Sequence, residues 1–232
     1  EGFWHVPVCV RWAAAGTTHT TCTLLEAATG SVELEGTTCP DWILPNADGG
    51  SYVRFTLADA QLAALRAAMS PPAPTGRARG RGRAAAAAPV SPLTVRDQIT
   101  LADSVRAGFE AGRISFSAAM EVLAPMANST ERFVATAPIE LLTTARDQYL
   151  EDTHDAAFQA YAHQLYAAQL TRLGWEGPAD EDGEVRLLRA AILSFLALVA
   201  DDPEVRAEAR RRGDAYVAGG AIHPEAVGAD LA

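Results

Sequence analysis

Lysine is absent from this 232-residue chain: all 19 basic residues are arginine. We read this as the codon usage of a GC-rich genome and draw no mechanism from it. Aromatic residues supply only 7% of the sequence, and cysteine occurs three times. Cys9, Cys22 and Cys39 sit at irregular spacing, which matches neither a disulfide framework nor a zinc ribbon. With His5 and His19 nearby a metal site is conceivable, but ordinary strand residues are the better reading. The net charge of -10 argues against a nucleic-acid or anionic-membrane surface. The most apolar run, Ala190 to Ala200, is shorter than the roughly 18 to 20 residues of a membrane helix, so it reads as a buried core helix.

Familiar catalytic motifs are missing too. There is no Gly-x-Ser-x-Gly elbow, phosphate loop or dinucleotide fingerprint. His154 and His163 stand nine residues apart, too far to bind one metal from a single helix. Asp180-Glu181-Asp182 lacks the ligand spacing of a calcium loop and reads as solvated loop.

What is present begins as β and continues as α. The chain opens on Glu1, close to a strand pattern and without a leader, so it reads as a fragment. Trp4, Val6, Val8, Val10 and Trp12 alternate with His5, Pro7, Cys9 and Arg11, the pattern of a half-buried strand. Pro7 cannot donate to a ladder, which predicts an edge or a bulge there. Further strands are expected over Thr18 to Leu25 and Ser31 to Leu34, joined by a turn at Ala27 to Gly30. Trp42 to Leu44 and Tyr52 to Phe55 are two more strand-like runs around a tight reversal rich in Asn, Asp and Gly.

An Ala-rich helical part follows, since hydrophobic residues make up 49% of the chain and few are aromatic. Asp59 to Met69 is the first expected helix, with Leu62, Leu65 and Met69 on one face. Ser70 to Pro92, rich in Pro, Gly and Ala, carries Arg77, Arg79, Arg81 and Arg83 with no acid, and reads as a disordered linker. Beyond it, Val95, Ile99, Ala102, Val105 and Phe109 form a helical stripe closed by Gly112. Phe116, Met120, Leu123 and Ala127 form the next, with Pro125 expected to kink or end it. Pro138 kinks a helix over Thr130 to Arg146 or starts a second one. Asp152 to Leu173 carries Phe158, Tyr161, Leu165 and Gln169, with Gly174 as its stop. Glu184 to Ala200 carries Val185, Leu188, Ile192, Phe195 and Val199. Asp202-Pro203-Glu204 is an N-cap, a first-turn proline and a first-turn acid, and Gly219-Gly220 lies beyond that helix. The expected fold is mostly α: stacked antiparallel helix pairs of the HEAT or armadillo kind, preceded by a small partial β-sandwich. The domains are 1–56 partial sandwich, 57–69 connecting helix, 70–92 linker and 93–232 helical domain.

Several short motifs occur in a familiar order. Trp4, Val6, Pro7 and Val8 open the series. Trp42, Asn46, Gly50, Tyr52 and Arg54 follow, with Ser51-Tyr52-Val53-Arg54 where Gly-Tyr-Tyr-Arg is common. Next come Leu101-Ala102-Asp103, Ala111-Gly112-Arg113-Ile114-Ser115, then Leu173-Gly174-Trp175 and Glu184 to Arg189. This succession resembles the C-terminal region of the aminopeptidase N family of zinc metallopeptidases, which includes the endoplasmic-reticulum aminopeptidases. Gln98 and Thr136 depart from it, standing where Arg and Trp are common.

The resemblance implies a non-catalytic C-terminal region that caps the active-site chamber of a zinc aminopeptidase and helps hold the peptide. The family's His-Glu-x-x-His pair, which sets two imidazoles one helical turn apart beside a carboxylate base, does not occur here. The chain itself therefore offers no catalytic, cofactor or metal residue, and zinc is expected in the parent's catalytic domain. Trp4, Pro7, Trp42, Asn46, Gly50, Tyr52, Arg54, Asp103, Gly112, Gly174, Trp175 and Arg189 are the matched positions, read as structural. The expected partners are the upstream catalytic domain of the same protein and a peptide substrate, with neither nucleic acid nor membrane. An exposed sheet edge would allow a dimer. Two other readings stand beside this one: an independent helical-repeat module that binds a protein, and a scaffold whose parent has lost its zinc site.

Overall fold

A computed structural model describes residues 5–36, 38–69 and 91–220. The described residues are mostly helical, with a small antiparallel sheet at the N-terminal end. They fall into two compact units, Glu1–Pro125 and Met126–Ala232. The expected linker lies outside the described residues as far as 90, while Ser91 Oγ reaches the carbonyl of Ala68 at the end of the first helix.

Strands β1 (Val6–Ala14) and β2 (Thr17–Leu25) form a hairpin, and β3 (Trp42–Pro45) pairs with the other side of β1, giving the order β2-β1-β3. The alternation in β1 is real: Val10, Trp12 and Ala14 are buried together, with Val32, Leu34 and Ile43 packed against them. The hairpin turn is Ala15-Gly16, both at positive φ (49° and 76°), the twist that suits a two-residue connection. Pro7 does not place β1 at the edge of the sheet, because β1 is the central strand. However, β3 spans only Val10 to Ala13 of it, so the Pro7 end is locally unpaired on that side.

The structure corrects three sequence expectations in this region. Cys9 and Cys22 face each other across the hairpin register and are joined in a disulfide, so they are not ordinary strand residues; Cys39 is free and exposed. Spacing did not reveal the bridge because it depends on the register set by Ala15-Gly16. Ser31 to Leu34 is irregular, serving as a cover for the β1 core without a ladder of its own. Tyr52 to Phe55 does not return as the second arm of a hairpin. Asn46 takes the place of a ladder there.

The first unit also contains α1 (Asp59–Met69), α2 (Val95–Glu110) and α3 (Phe116–Leu123). Leu62 and Leu65 turn inward from α1, and α1 packs on both α3 and β3. Gly112 sits at φ 67° just past α2, the left-handed stop its residue type suits. Pro125 falls in a 3-10 turn, Ala124–Asn128, which ends α3 early. Of the stripe expected on α2, Ala102 and Val105 are buried, Ile99 and Phe109 are half-buried and Val95 is exposed, and the buried face is wider than expected, taking in Asp97, Leu101, Ser104 and Gly108.

The second unit holds α4 (Arg132–Ala135), α5 (Ala137–Gln148), α6 (Asp155–Leu173), α7 (Gly183–Leu198) and α8 (Pro203–Val217). Pro138 lies in the first turn of α5, so it starts a second helix. The buried face of α6 is Phe158, Ala162, Tyr166, Gln169 and Leu173; Tyr161, expected in the core, is on the outside. The apolar run in α7 is indeed core: Ile192, Leu193, Phe195 and Leu196 are all buried. Asp202 caps α8 by accepting from the amides of Glu204 and Val205, both at 3.0 Å. No described helix is long and apolar enough to cross a membrane.

Candidate functional site

The side chains that carry most chemistry in the first unit converge where the loop after β3 meets α2. Trp42 is buried in β3. The chain then enters a 3-10 turn, Ala47–Gly49, with Asn46, Asp48 and Gly49 at φ 61°, 53° and 62°. Asn46 organises this turn with both ends of its amide. Its Nδ2 donates to the carbonyls of Ser51 (2.8 Å) and Val53 (3.0 Å), and its Oδ1 accepts from the Ser51 amide (2.8 Å). Gly50 has ordinary helical angles (φ -66°). Gly49 is the position that needs glycine, since a Cβ there would come within 2.9 Å of Thr100 Oγ1.

Beneath the turn lies a buried charge network. Asp97 has no solvent exposure. It accepts from the amides of Asp48 (2.8 Å) and Thr94 (2.9 Å), and from the Arg11 guanidinium, which also grips Asp48. The Thr94 hydroxyl in turn accepts from the Asp97 amide, completing a capping box at the start of α2. These contacts pin the centre of β1, the turn and the α2 N-terminus together. The carboxyl of Asp48 is held below its ordinary range, first by the hydrogen bond from the Thr94 hydroxyl and then by Arg11.

Nearly two turns further along α2, Arg54 forks onto Asp103, Nε to Oδ2 at 2.8 Å and Nη2 to Oδ1 at 3.3 Å, and Arg106 shares the same carboxylate. The Arg54 hydrogen bond is the main reason that the Asp103 carboxyl is held low. Between the turn and the helix runs a groove of about 460 Å³, lined by Asn46, Tyr52, Val53, Arg54, Ile99 and Asp103 among others. Tyr52 stands wholly in solvent at its rim, with 108% relative exposure.

In the second unit the matched positions brace a loop. Arg189, 2% exposed, donates through Nε to the Leu173 carbonyl (3.1 Å) and through both terminal nitrogens to Glu181. Gly174 ends α6 at φ 59°, and Trp175 lies under the Arg212 guanidinium, 5.0 Å from the ring centre. His163 bonds Asp202 through Nδ1 at 2.6 Å. Trp4 lies outside the described residues. Pro7, at the end of β1, accepts through its carbonyl from the Ser51 hydroxyl.

A family model described as the ERAP1-like C-terminal domain matches residues 42–230. The chain belongs to that family. The ERAP1-like C-terminal domain is found in M1 aminopeptidases, where it associates with a catalytic domain. No curated protein matches the chain.

The zinc that such a parent implies does not fit the residues described here. Among them, no three His, Cys, Asp or Glu side chains gather where an ion could be held. Arg11 and Asp97, the centre of the first unit, carry no motif that singles them out: Arg11 is one of the alternate positions of the first strand, and the capping-box spacing Thr94-x-x-Asp97 is the signal the sequence holds.

Proposed function

We propose that this chain works as the non-catalytic C-terminal region of a zinc aminopeptidase, capping the active-site chamber and helping to hold the far end of a peptide substrate. The observation that carries this reading is the family match over residues 42–230. In this reading the catalytic chemistry belongs to the partner domain, and the chain supplies shape and peptide contacts. A zinc aminopeptidase containing this chain should lose activity unevenly when the 42–230 region is deleted. The kcat/KM for peptides of eight or more residues falls by at least about tenfold, whereas a dipeptide-sized substrate is much less affected, since remote binding energy is what long substrates lose. Equal rates at every length, with and without the region, would sink the proposal.

The dimer is expected through the edge of the first strand, but β1 is central in the sheet, and we propose the outer side of β2 as the pairing surface instead. Among the described residues its outer side pairs with no strand, and Thr17 to Leu25 includes no Asp, Glu or Arg. An edge without charge lacks a common guard against edge-to-edge pairing.

A further inference from the structure

Ser51 to Ala58 behaves as a strand whose partner is missing from the described residues. Its exposure alternates strictly: Ser51, Val53, Phe55 and Leu57 are half-buried, and Tyr52, Arg54, Thr56 and Ala58 are exposed. That is the period of a pleated strand with one face on a core. Its backbone bonding alternates as well. The carbonyls of Ser51 and Val53 are taken by Asn46, the Ser51 amide by Asn46 Oδ1, and the Phe55 amide by Ser104 Oγ at 3.5 Å. The backbone groups of Tyr52, Arg54 and Thr56 make no hydrogen bond with any described residue.

In an extended chain, successive residues aim their N–H and C=O groups to opposite sides. The chain bends at Ser51 and Tyr52 and runs without a bend from Val53 to Ala58; there Asn46 and Ser104 satisfy one side and the other is an edge left open at Arg54 and Thr56, with the backbone of Tyr52, at the bend just before, also unbonded to any described residue. The single charge along it, Arg54, is already neutralised by Asp103, so the edge asks for no counter-charge. The groove beside it, lined by Val53 and Ile99 under the fully exposed Tyr52, offers room for an apolar side chain.

We propose that Ser51–Ala58 is a docking edge that accepts an extended strand from the catalytic part of the same protein, with one apolar side chain of that strand seated beside Tyr52. This rests on the reading above, in which the ERAP1-like C-terminal domain works against a catalytic domain. The open edge falls within the matched region and supplies the main-chain bonds by which a strand is added to a sheet.

Residue-level amide hydrogen exchange, compared between this chain alone and the intact protein that contains it, tests the proposal. The amides of Tyr52, Arg54 and Thr56 should exchange freely in the chain alone, and at least about 100-fold more slowly in the intact protein. Thr56→Pro, which removes a donor that has no partner among the described residues, should cut the protection at its neighbours without lowering the melting temperature of the chain alone. Tyr52→Asp, on a side chain that touches only solvent here, should do the same if the proline variant fails to fold. Fast exchange of these amides in an intact, active aminopeptidase would overturn the docking edge and leave the proposed function standing. An intact protein with no zinc-peptidase domain would remove the proposed function, and this occupant with it. Protection that grows with concentration in the chain alone, with a doubling of mass, would assign the edge to a second copy and overturn the proposal.

Discussion

The Arg11–Asp97 network allows a quantitative test of what holds the first unit together. The Asp97 side chain has no exposure and that of Arg11 only 12%, so neither charge is hydrated in the folded protein. Replacing Asp97 with Ala leaves Arg11 with Asp48 alone and strips the amides of Asp48 and Thr94 of their acceptor. Breaking a buried pair in this way costs about 3–5 kcal/mol. Arg11→Met leaves two carboxylates facing each other and should cost about 3 kcal/mol by the same reasoning. Combining Arg11→Met with Asp97→Ala removes both charges, so the double variant should be less destabilised than the two singles together, with a coupling of at least about 2 kcal/mol. Urea unfolding followed by tryptophan fluorescence measures this in a Trp175→Phe background, where the buried Trp12 and Trp42 report on the first compact unit. Additivity within about 0.5 kcal/mol would show that the pair does not act as a unit, and the argument for a buried brace would fail.

Other expectations follow from the same region. Asn46→Ala loses three hydrogen bonds and keeps a β-carbon at φ 61° without the short polar side chain that favours that angle, for a loss of about 2–4 kcal/mol; Asn46→Gly should be milder by about 1 kcal/mol, as glycine tolerates that angle. Thermal melts of both rank the two effects, and an equal loss would show that the backbone angle is irrelevant. Reducing the Cys9–Cys22 bridge, which closes a separation of 13 residues, should destabilise the first unit by about 3 kcal/mol on the loop-closure model, and Cys9→Ser should lose its sensitivity to reductant. Asp48 and Asp103 have lowered carboxyl pKa values in the folded protein, and Glu208, held chiefly by Arg211, falls to about 2. Their contributions are therefore complete above the unfolded range near pH 4–5 and lost as pH falls through the folded values. Stability measured from pH 6 down to pH 2 should decline, and Asp103→Asn should flatten part of that decline. A profile unchanged by Asp103→Asn would refute the role of its pairing with Arg54.

Much of this architecture can be read from local pattern, and what cannot depends on register. The alternation from Val6 to Trp12, the span of α1, the stop at Gly112, and the cap and proline at Asp202-Pro203 each need only a few neighbouring residues, and the structure follows them. The Cys9–Cys22 bridge needs the pairing of two strands, which spacing alone does not give. The apolar stripe of α2 does not reveal that Asp97 is buried too, because Asp97 pairs with Arg11, 86 residues earlier in the chain, and a hydrophobic count sees only a charged position. On α6 the tyrosine in the core is Tyr166 and not the expected Tyr161, for a similar reason. Tyr166 is buried because its hydroxyl donates to the Ala135 carbonyl at 2.9 Å, a partner invisible to periodicity.

The described matched positions share a kind of work that bears on function. Asn46 shapes a turn, Arg54 ties that turn's exit to Asp103, Arg189 fastens Glu181 and the end of α6, and Trp175 supports Arg212. Each fixes where a loop leaves a helix or strand. Tyr52 differs: it is the matched side chain with no described packing to explain its size. Exposing a large aromatic ring gains nothing for the isolated fold, whereas burying one at an interface removes apolar area worth about 25 cal/mol per Å² from water. The physical case for association is therefore strongest at Tyr52, where the open backbone edge and the groove also meet.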